Sequence, residues 1–156
     1  MSAALIQGDT VHAGFIGDCG LAILKDDGAI RWHSPDEVAS VRPHFPDAQV
    51  VGTTERYIRV RRDFRNRPAA DHPTYGVLTG EPGALPYVRS LSLTIGEGQS
   101  ILVYTDGIMP FLFDDAQFRQ LLLSGDDEAL LEYVTVRSRP GKTADDKTLL
   151  IYTLNS

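Results

Sequence analysis

Gly98-Gln99-Ser100-Ile101-Leu102-Val103-Tyr104-Thr105-Asp106-Gly107 is the stretch on which the fold turns. Residues 101–104 form an apolar run too short for a helix, so a central strand is expected there. Asp106 then sits at the strand's end, held on a rigid element, and Gly107 lets the backbone turn sharply behind it. A carboxylate so placed can offer an oxygen to a hard cation such as Mg²⁺ or Mn²⁺. Asp and Gly are also ordinary turn residues, so the rest of the chain must decide between a site and a bend.

Working toward the N-terminus, residues 88–95 alternate Val88, Leu91, Leu93 and Ile95 before Gly96-Glu97-Gly98, which predicts a second strand. Residues 65–86 are rich in Pro, Gly and polar residues and read as loop. Val50-Val51 and residues 57–60 are weaker strand candidates. Residues 11–16 and 21–24 are short apolar segments separated by Gly17-Asp18-Cys19-Gly20, and Asp26-Asp27-Gly28 leads into residues 29–32. Such short connections predict an antiparallel hairpin or meander. Trp32, at the end of a hairpin strand, is expected in the core.

Toward the C-terminus, Phe118, Leu121 and Leu122 share one helical face, with Asp114 or Asp115 placed to cap it. A second helix is expected over 127–134, because Asp126, Asp127 and Glu128 suit the positive end of a helix dipole. Residues 149–154 predict a last strand, entered through Asp145-Asp146-Lys147-Thr148. Strands dominate, helices come late and no regular βαβ alternation is present. The class is therefore α+β with a mainly antiparallel sheet, in a single domain spanning 1–156.

The chain has 156 residues, 42% hydrophobic and 23% charged, with a net charge of -6. That balance suits a globular core and excludes disorder. The acidic charge speaks against nucleic acid, whose phosphates need a cationic face. No apolar run is long enough for a membrane span, the start lacks the basic and apolar regions of a secretory signal, and a cytoplasmic protein is expected. Cys19 is the sole cysteine, so it forms no intrachain disulfide, and it reads as an inert small residue. The four histidines lack short metal spacing. Gly141-Lys142-Thr143 fails as a phosphate loop, because position 136 is Val and no strand-loop-helix follows.

Four motifs in order carry a family resemblance. Gly17-Asp18-Cys19-Gly20 followed by an apolar run and Asp27-Gly28 resembles the "GDS-R, then D-G" hairpin of PP2C-type metal-dependent serine/threonine protein phosphatases. Tyr75-Gly76-Val77-Leu78-Thr79-Gly80-Glu81 resembles the "YGVLTGE" stretch of bacterial members. The segment from Gly98 to Gly107 is similar to the strand ending in "(S/T)DG", and Asp145-Asp146-Lys147-Thr148 to the closing "D-(N/D)-x-T". The resemblance covers nearly the whole chain, as the C-terminal portion of that domain.

What the resemblance implies is a β-sandwich of two antiparallel sheets flanked by helices, with a binuclear Mn²⁺ or Mg²⁺ site at one end. A metal-held water attacks phosphoserine or phosphothreonine there, and the partner is a phosphoprotein substrate. By motif position Asp106 and Asp145 are metal ligands, and Asp18, Asp146 and Gly107 are contacts or supports beside them. Arg56, Arg59, Arg61, Arg62, Arg65 and Arg67 form the only basic cluster. Arg62 and Arg65 are its phosphate-binding candidates, since guanidinium pairs bidentately with phosphate. The plainer reading of that cluster is a solvated face partnered by acids.

The pattern also breaks. No Asp-Gly-x-Gly-Gly, the motif that bridges both metals in the family, occurs anywhere, and Cys19-Gly20 stands where Ser-Arg is usual. Hard cations take about six oxygen ligands each, so two carboxylates do not complete a binuclear site. The chain is either a portion of a longer phosphatase or a short relative that binds metal weakly or not at all. A non-catalytic binding or assembly module is the alternative function. Missing N-terminal strands would leave open sheet edges, for which a homodimer is the expected remedy.

Overall fold

The computed structural model describes residues 1–138 and 146–154. The strands are β1 (Ser2–Gln7), β2 (Thr10–Phe15), β3 (Gly20–Leu24), β4 (Ile30–His33), β5 (Arg89–Thr94), β6 (Ser100–Tyr104) and β7 (Leu149–Thr153). They form two sheets, ordered β1-β2-β5 and β4-β3-β6-β7, antiparallel throughout. The helices are α1 (Ala48–Val51), α2 (Thr53–Arg59), α3 (Met109–Asp114), α4 (Ala116–Ser124) and α5 (Asp127–Arg137). Two sheets with late helices make the expected α+β sandwich.

Two apolar clusters hold the layers together. Val11, Ala13 and Phe15 of β2 meet Leu21 and Ile23 of β3 and Ile101 of β6 between the sheets, with Trp32 packed against them. On the other face of the four-stranded sheet, Ala22, Leu24, Leu102 and Tyr104 meet Phe111, Leu112, Phe118 and Leu122 of α3 and α4. Strand β3 is apolar on both faces because both are covered, and all its residues are buried. Strand β6 is the central strand its apolar run predicts, with β3 on one side and β7 on the other.

Three expectations are corrected. Strands β2 and β3 do not form a hairpin: β2 lies in the three-stranded sheet and β3 in the four-stranded one. The turn at 16–19 therefore crosses between the layers. A short connection limits the distance between strand ends, and a sandwich partner about 10 Å away meets that limit as well as a sheet neighbour does.

Residues 50–51 and 57–60 are helical rather than extended. The Asp47 carboxylate caps α1 by accepting from Gln49 N, and Arg59 bonds Glu55 one turn back at 2.7 Å. These local bonds override the modest β-preference of Val and Tyr. Strand β1 was absent from the expected strands. Its alternation, with Leu5 outward and Ile6 half-buried, is diluted by Ala, while the Gly8-Asp9 turn that joins it to β2 is the signal present in the sequence.

Asp115, one of the two expected caps, opens α4 by accepting from Gln117 N and Phe118 N. Gly125, in a left-handed conformation, ends that helix, and Asp126 caps α5 through Ala129 N. Helix α3, begun by Pro110 in its first turn, was not expected from periodicity. Among the described residues no helix is long and apolar enough to cross a membrane.

Candidate functional site

The register of the four-stranded sheet sets the geometry of the candidate site. Gly20 of β3 lies opposite Tyr104 of β6, which lies opposite Leu149 of β7. The residues just before β3, just after β6 and just before β7 therefore emerge at one end of the sheet. Asp18, Asp106 with Gly107, and Asp146 occupy those positions. Adjacent strands in such a ladder are only about 5 Å apart. Asp145, the second expected ligand, lies outside the described residues.

Local bonds fix this end. Thr105 N donates to Thr148 O, Thr148 N donates to Thr105 Oγ1, and that hydroxyl donates to Asp146 O, all at 2.9–3.0 Å. The entry to β7 is thereby stitched to the exit from β6. The Asp106 carboxylate accepts from Gly107 N at 3.0 Å, tightening the turn behind it. On the β3 side, Gly17 takes a φ of 84°. Its N–H donates to Glu37, and the same carboxylate accepts from Arg89 at 3.2 Å. Glu37 went unmarked in the sequence; its only signal is an acidic residue four positions beyond β4.

The departure at Cys19-Gly20 has a packing reason. A Cβ on Gly20 would meet Tyr104 Oη at 2.5 Å and Ser34 Oγ at 2.7 Å. Burial, a hydrogen bond with Ser34 that works against it and the charge of Asp36 leave the Tyr104 phenol pushed up to about 12. A neutral phenol thus occupies the space a side chain at position 20 would need. Ser34 Oγ also accepts from Leu21 N at 2.9 Å, so the whole corner is filled.

The Tyr75 segment packs against the Gly17-Asp18 turn. A Cβ at Gly17 would sit 3.2 Å from Gly76 O, and Arg65 and Tyr75 form an isolated β-bridge. The Tyr75 phenol is pushed up first by burial, against the opposing charge of Arg65, and with Asp18 adding to the rise. The order of this loop comes from Asn66, buried with a φ of 54°. Its side chain donates to Val77 O and Glu81 Oε2 and accepts from Val77 N. Bonds from Asn66 and Thr79 hold the Glu81 carboxyl below its usual range.

The two arginine candidates differ in their surroundings. Arg62 lies flat against Asp63 with contacts of 2.6 and 2.8 Å, exposed to solvent. That pairing raises the Arg62 guanidinium and lowers the Asp63 carboxyl. Arg65 is 15% exposed, reaches Glu81 at 3.4 Å, and keeps its buried Nε without a partner among the described residues. Arg61, Arg62 and Arg67, with Tyr57 and Ile58, line an open groove of ≈ 340 Å³ beside α2.

Metal chemistry can be tested on the donors themselves. Among the described residues no group of three His, Cys, Asp or Glu side chains is placed to hold a metal. That donor set falls short of the roughly six oxygens a hard cation takes. The residues described do not complete a metal centre, and no reaction step is derived through one.

No family model matches the sequence, and no curated protein sequence matches it either. Solved structures do match the fold. The serine/threonine phosphatase of S. agalactiae superposes with a TM-score of 0.60 at 16% identity, over 98% of this chain and 58% of that one. PppA, a key regulatory component of the T6SS in Pseudomonas aeruginosa, gives 0.54 at 19% identity, over 95% and 53%. The photosystem II phosphatase PBCP gives 0.51 at 14% identity, over 88% and 43%. The chain thus spans between two fifths and three fifths of these structures' lengths, and over that span its fold is that of PP2C-type serine/threonine phosphatases.

Proposed function

We propose that this chain is the C-terminal portion of a PP2C-like protein serine/threonine phosphatase, weakly active or inactive by itself. The observation that supports the reading is the register of the four-stranded sheet, in which Asp18, Asp106 and Asp146 flank the ends of adjacent strands β3, β6 and β7. In this reading Asp106 and Asp145 are the chain's share of the ligands to Mn²⁺ or Mg²⁺, with Asp18, Asp146 and Gly107 supporting them. A bound cation of that kind supplies an activated water. The residues of this chain orient the phosphorylated substrate: Arg65, bridged to Tyr75 in the segment that packs against the Gly17-Asp18 turn, offers a guanidinium to the phosphate. The remaining ligands come from outside the described residues.

A second reading is favoured by one observation, the lack of three clustered metal donors among the described residues. It makes the chain a phosphatase-like module that binds a phosphoprotein without hydrolysing it. Hydrolysis of p-nitrophenyl phosphate and of a phosphothreonine peptide with excess Mn²⁺ separates the two. The first reading expects slow or no turnover but measurable Mn²⁺ binding that Asp106→Ala abolishes. Undiminished Mn²⁺ binding in Asp106→Ala, or none in the parent chain, would leave only the binding module.

A further inference from the structure

The segment from Glu55 to Arg67 sets six arginines against two acids, a net +4, in a chain of net charge -6, so the remaining residues sum to -10. Four of the six arginines are engaged. Arg59 pairs with Glu55, Arg62 with Asp63 and Arg65 with Glu81. Arg56 donates to Pro46 O and lies over the Phe45 ring. Arg61 and Arg67 have no carboxylate within ion-pair reach among the described residues. Both acids of the segment are already held by its other arginines.

The two arginines without acids share one groove. Tyr57 and Ile58 of α2, Arg61 and Arg62 of the π-helical turn Val60–Phe64, and Arg67 beyond it line ≈ 340 Å³. Arg61 stands one helical turn after Tyr57. Its guanidinium carbon lies 5.3 Å from the ring centroid, and Nη1 contacts Tyr57 Oη at 3.5 Å. A guanidinium held against a ring is ordered in advance, so it loses less freedom when a ligand arrives. Asn66, with its φ of 54°, turns the chain, and Arg67 comes back to the same groove. Tyr57 is 61% exposed and Ile58 50%, so apolar surface and cations lie side by side. The principal neighbours of α2 are α1 and the π-helical turn rather than either sheet.

We propose that this groove docks a short acidic segment of another polypeptide. Carboxylates of the segment meet Arg61 and Arg67, and an apolar side chain between them rests on Tyr57 and Ile58. Charge complementarity selects the occupant. A guanidinium fork matches a carboxylate, and the exposed apolar pair favours a peptide over a bare inorganic anion. A nucleic acid fits less well, because a long polyanion leaving so small a groove runs onto a chain that sums to -10 elsewhere. The inference does not rest on the phosphatase reading, and binding rather than hydrolysis tests it.

The experiment is fluorescence anisotropy of a labelled peptide, Asp-Glu-Leu-Glu-Asp, titrated with the whole chain at low ionic strength. The peptide is expected to bind, and its amide counterpart Asn-Gln-Leu-Gln-Asn is not. Arg61→Ala and Arg67→Ala should each weaken binding about tenfold, the loss of one charge-assisted hydrogen bond. Lys25→Ala removes an exposed cation beyond the far end of β3 and should leave binding unchanged. Circular dichroism checks that each variant keeps its helices. Should one lose them, the Nε–Hε magnetic resonance signals of the parent replace it: those of Arg61 and Arg67 should shift as peptide is added. No binding by the parent at millimolar concentration overturns the proposal, as do shifts confined to other arginines. Equal weakening by Lys25→Ala would reduce the effect to net charge and overturn it as well. Tighter binding of an oligothymidylate of equal charge would give the groove to nucleic acid instead.

Discussion

The two lateral sides of this sandwich are built differently. On the side of β4 and β5, Arg31 spans the layers to Thr94 O and to Gln99 Oε1 at 2.7 Å, and Arg89 is held by Glu37. On the side of β1 and β7, Leu5, Leu150 and Tyr152 are exposed among the described residues. The contrast teaches that bonds across the layers close one flank, while the other keeps apolar side chains at the surface among the described residues. The candidate site lies at the end of the strands, where both flanks contribute: Asp18 precedes β3 beside the finished flank, and Asp146 precedes β7 on the open one.

The largest difference expected between the flanks is in the cost of losing a side chain. Ile23 is fully buried between β2 and the four-stranded sheet. Ile23→Ala should cost about 2–5 kcal/mol, combining lost transfer energy and a cavity. Leu150→Ala on the open flank should fall within about 0.5 kcal/mol at low protein concentration, as for other exposed positions. Urea denaturation of both variants measures this. Equal penalties at high dilution would mean that the flanks are equally covered.

Next in size is the filled corner beside the candidate site. Gly20→Ala brings a methyl group against Tyr104 Oη and Ser34 Oγ, and overpacking of this kind costs about 1–3 kcal/mol. Pairing it with Tyr104→Phe removes the hydroxyl and should recover part of the loss. Thermal unfolding of the single and double variants gives the coupling. Additive effects would show that the hydroxyl is not what excludes a side chain at position 20.

A smaller effect is expected at the seam. Arg31→Ala removes two hydrogen bonds, one to Thr94 O and one to Gln99 Oε1. Such bonds from an exposed side chain contribute about 1 kcal/mol net. Hydrogen exchange at β4 and β5 should quicken while β1 is unaffected. Faster exchange at β1 instead would show that the flanks are coupled through the sheets.

These differences also explain what the sequence made legible. Strands β2 to β6 announced themselves because covered faces demand apolar residues, and the "TDG" end of β6 was readable because rigid position and turn chemistry coincide at Asp106-Gly107. The hairpin between β2 and β3 was misassigned because loop length constrains distance and not which sheet receives the strand. Helices α1 and α2 were masked by Val and Tyr, whose β-preference lost to the Asp47 cap and the Glu55–Arg59 pair. Arg65 was visible as a member of the basic cluster, but the ordering role of its neighbour Asn66 was not. It depends on a positive φ and a loop folded back on itself. Glu37 was silent because its partners, Gly17 and Arg89, are far apart in the chain.

The smallest effect concerns α5, the outer wall of the open flank. The Asp115 carboxylate caps α4, accepts from the Tyr133 hydroxyl at 2.8 Å and pairs with Arg137 at 3.3 Å, tying α5 to α4. Burial acts to raise this carboxyl, but the bonds from Tyr133 and Phe118 N and the Arg137 charge outweigh it and hold it below the usual range. A carboxyl depressed on folding adds stability at pH values above its unfolded pKa of about 3.9, and that stability fades as pH falls through the folded value. Asp115→Asn keeps an efficient cap while removing the charge, so at neutral pH it should cost only about 0.2–1 kcal/mol, the range for exposed pairs. The difference from the parent should shrink as the pH drops below about 4 and vanish once the parent carboxyl is protonated. Urea denaturation from neutral to strongly acid pH traces it. A gap that stays constant with pH would mean that Asp115 acts on α5 through its shape alone, and that the open flank owes nothing to this charge.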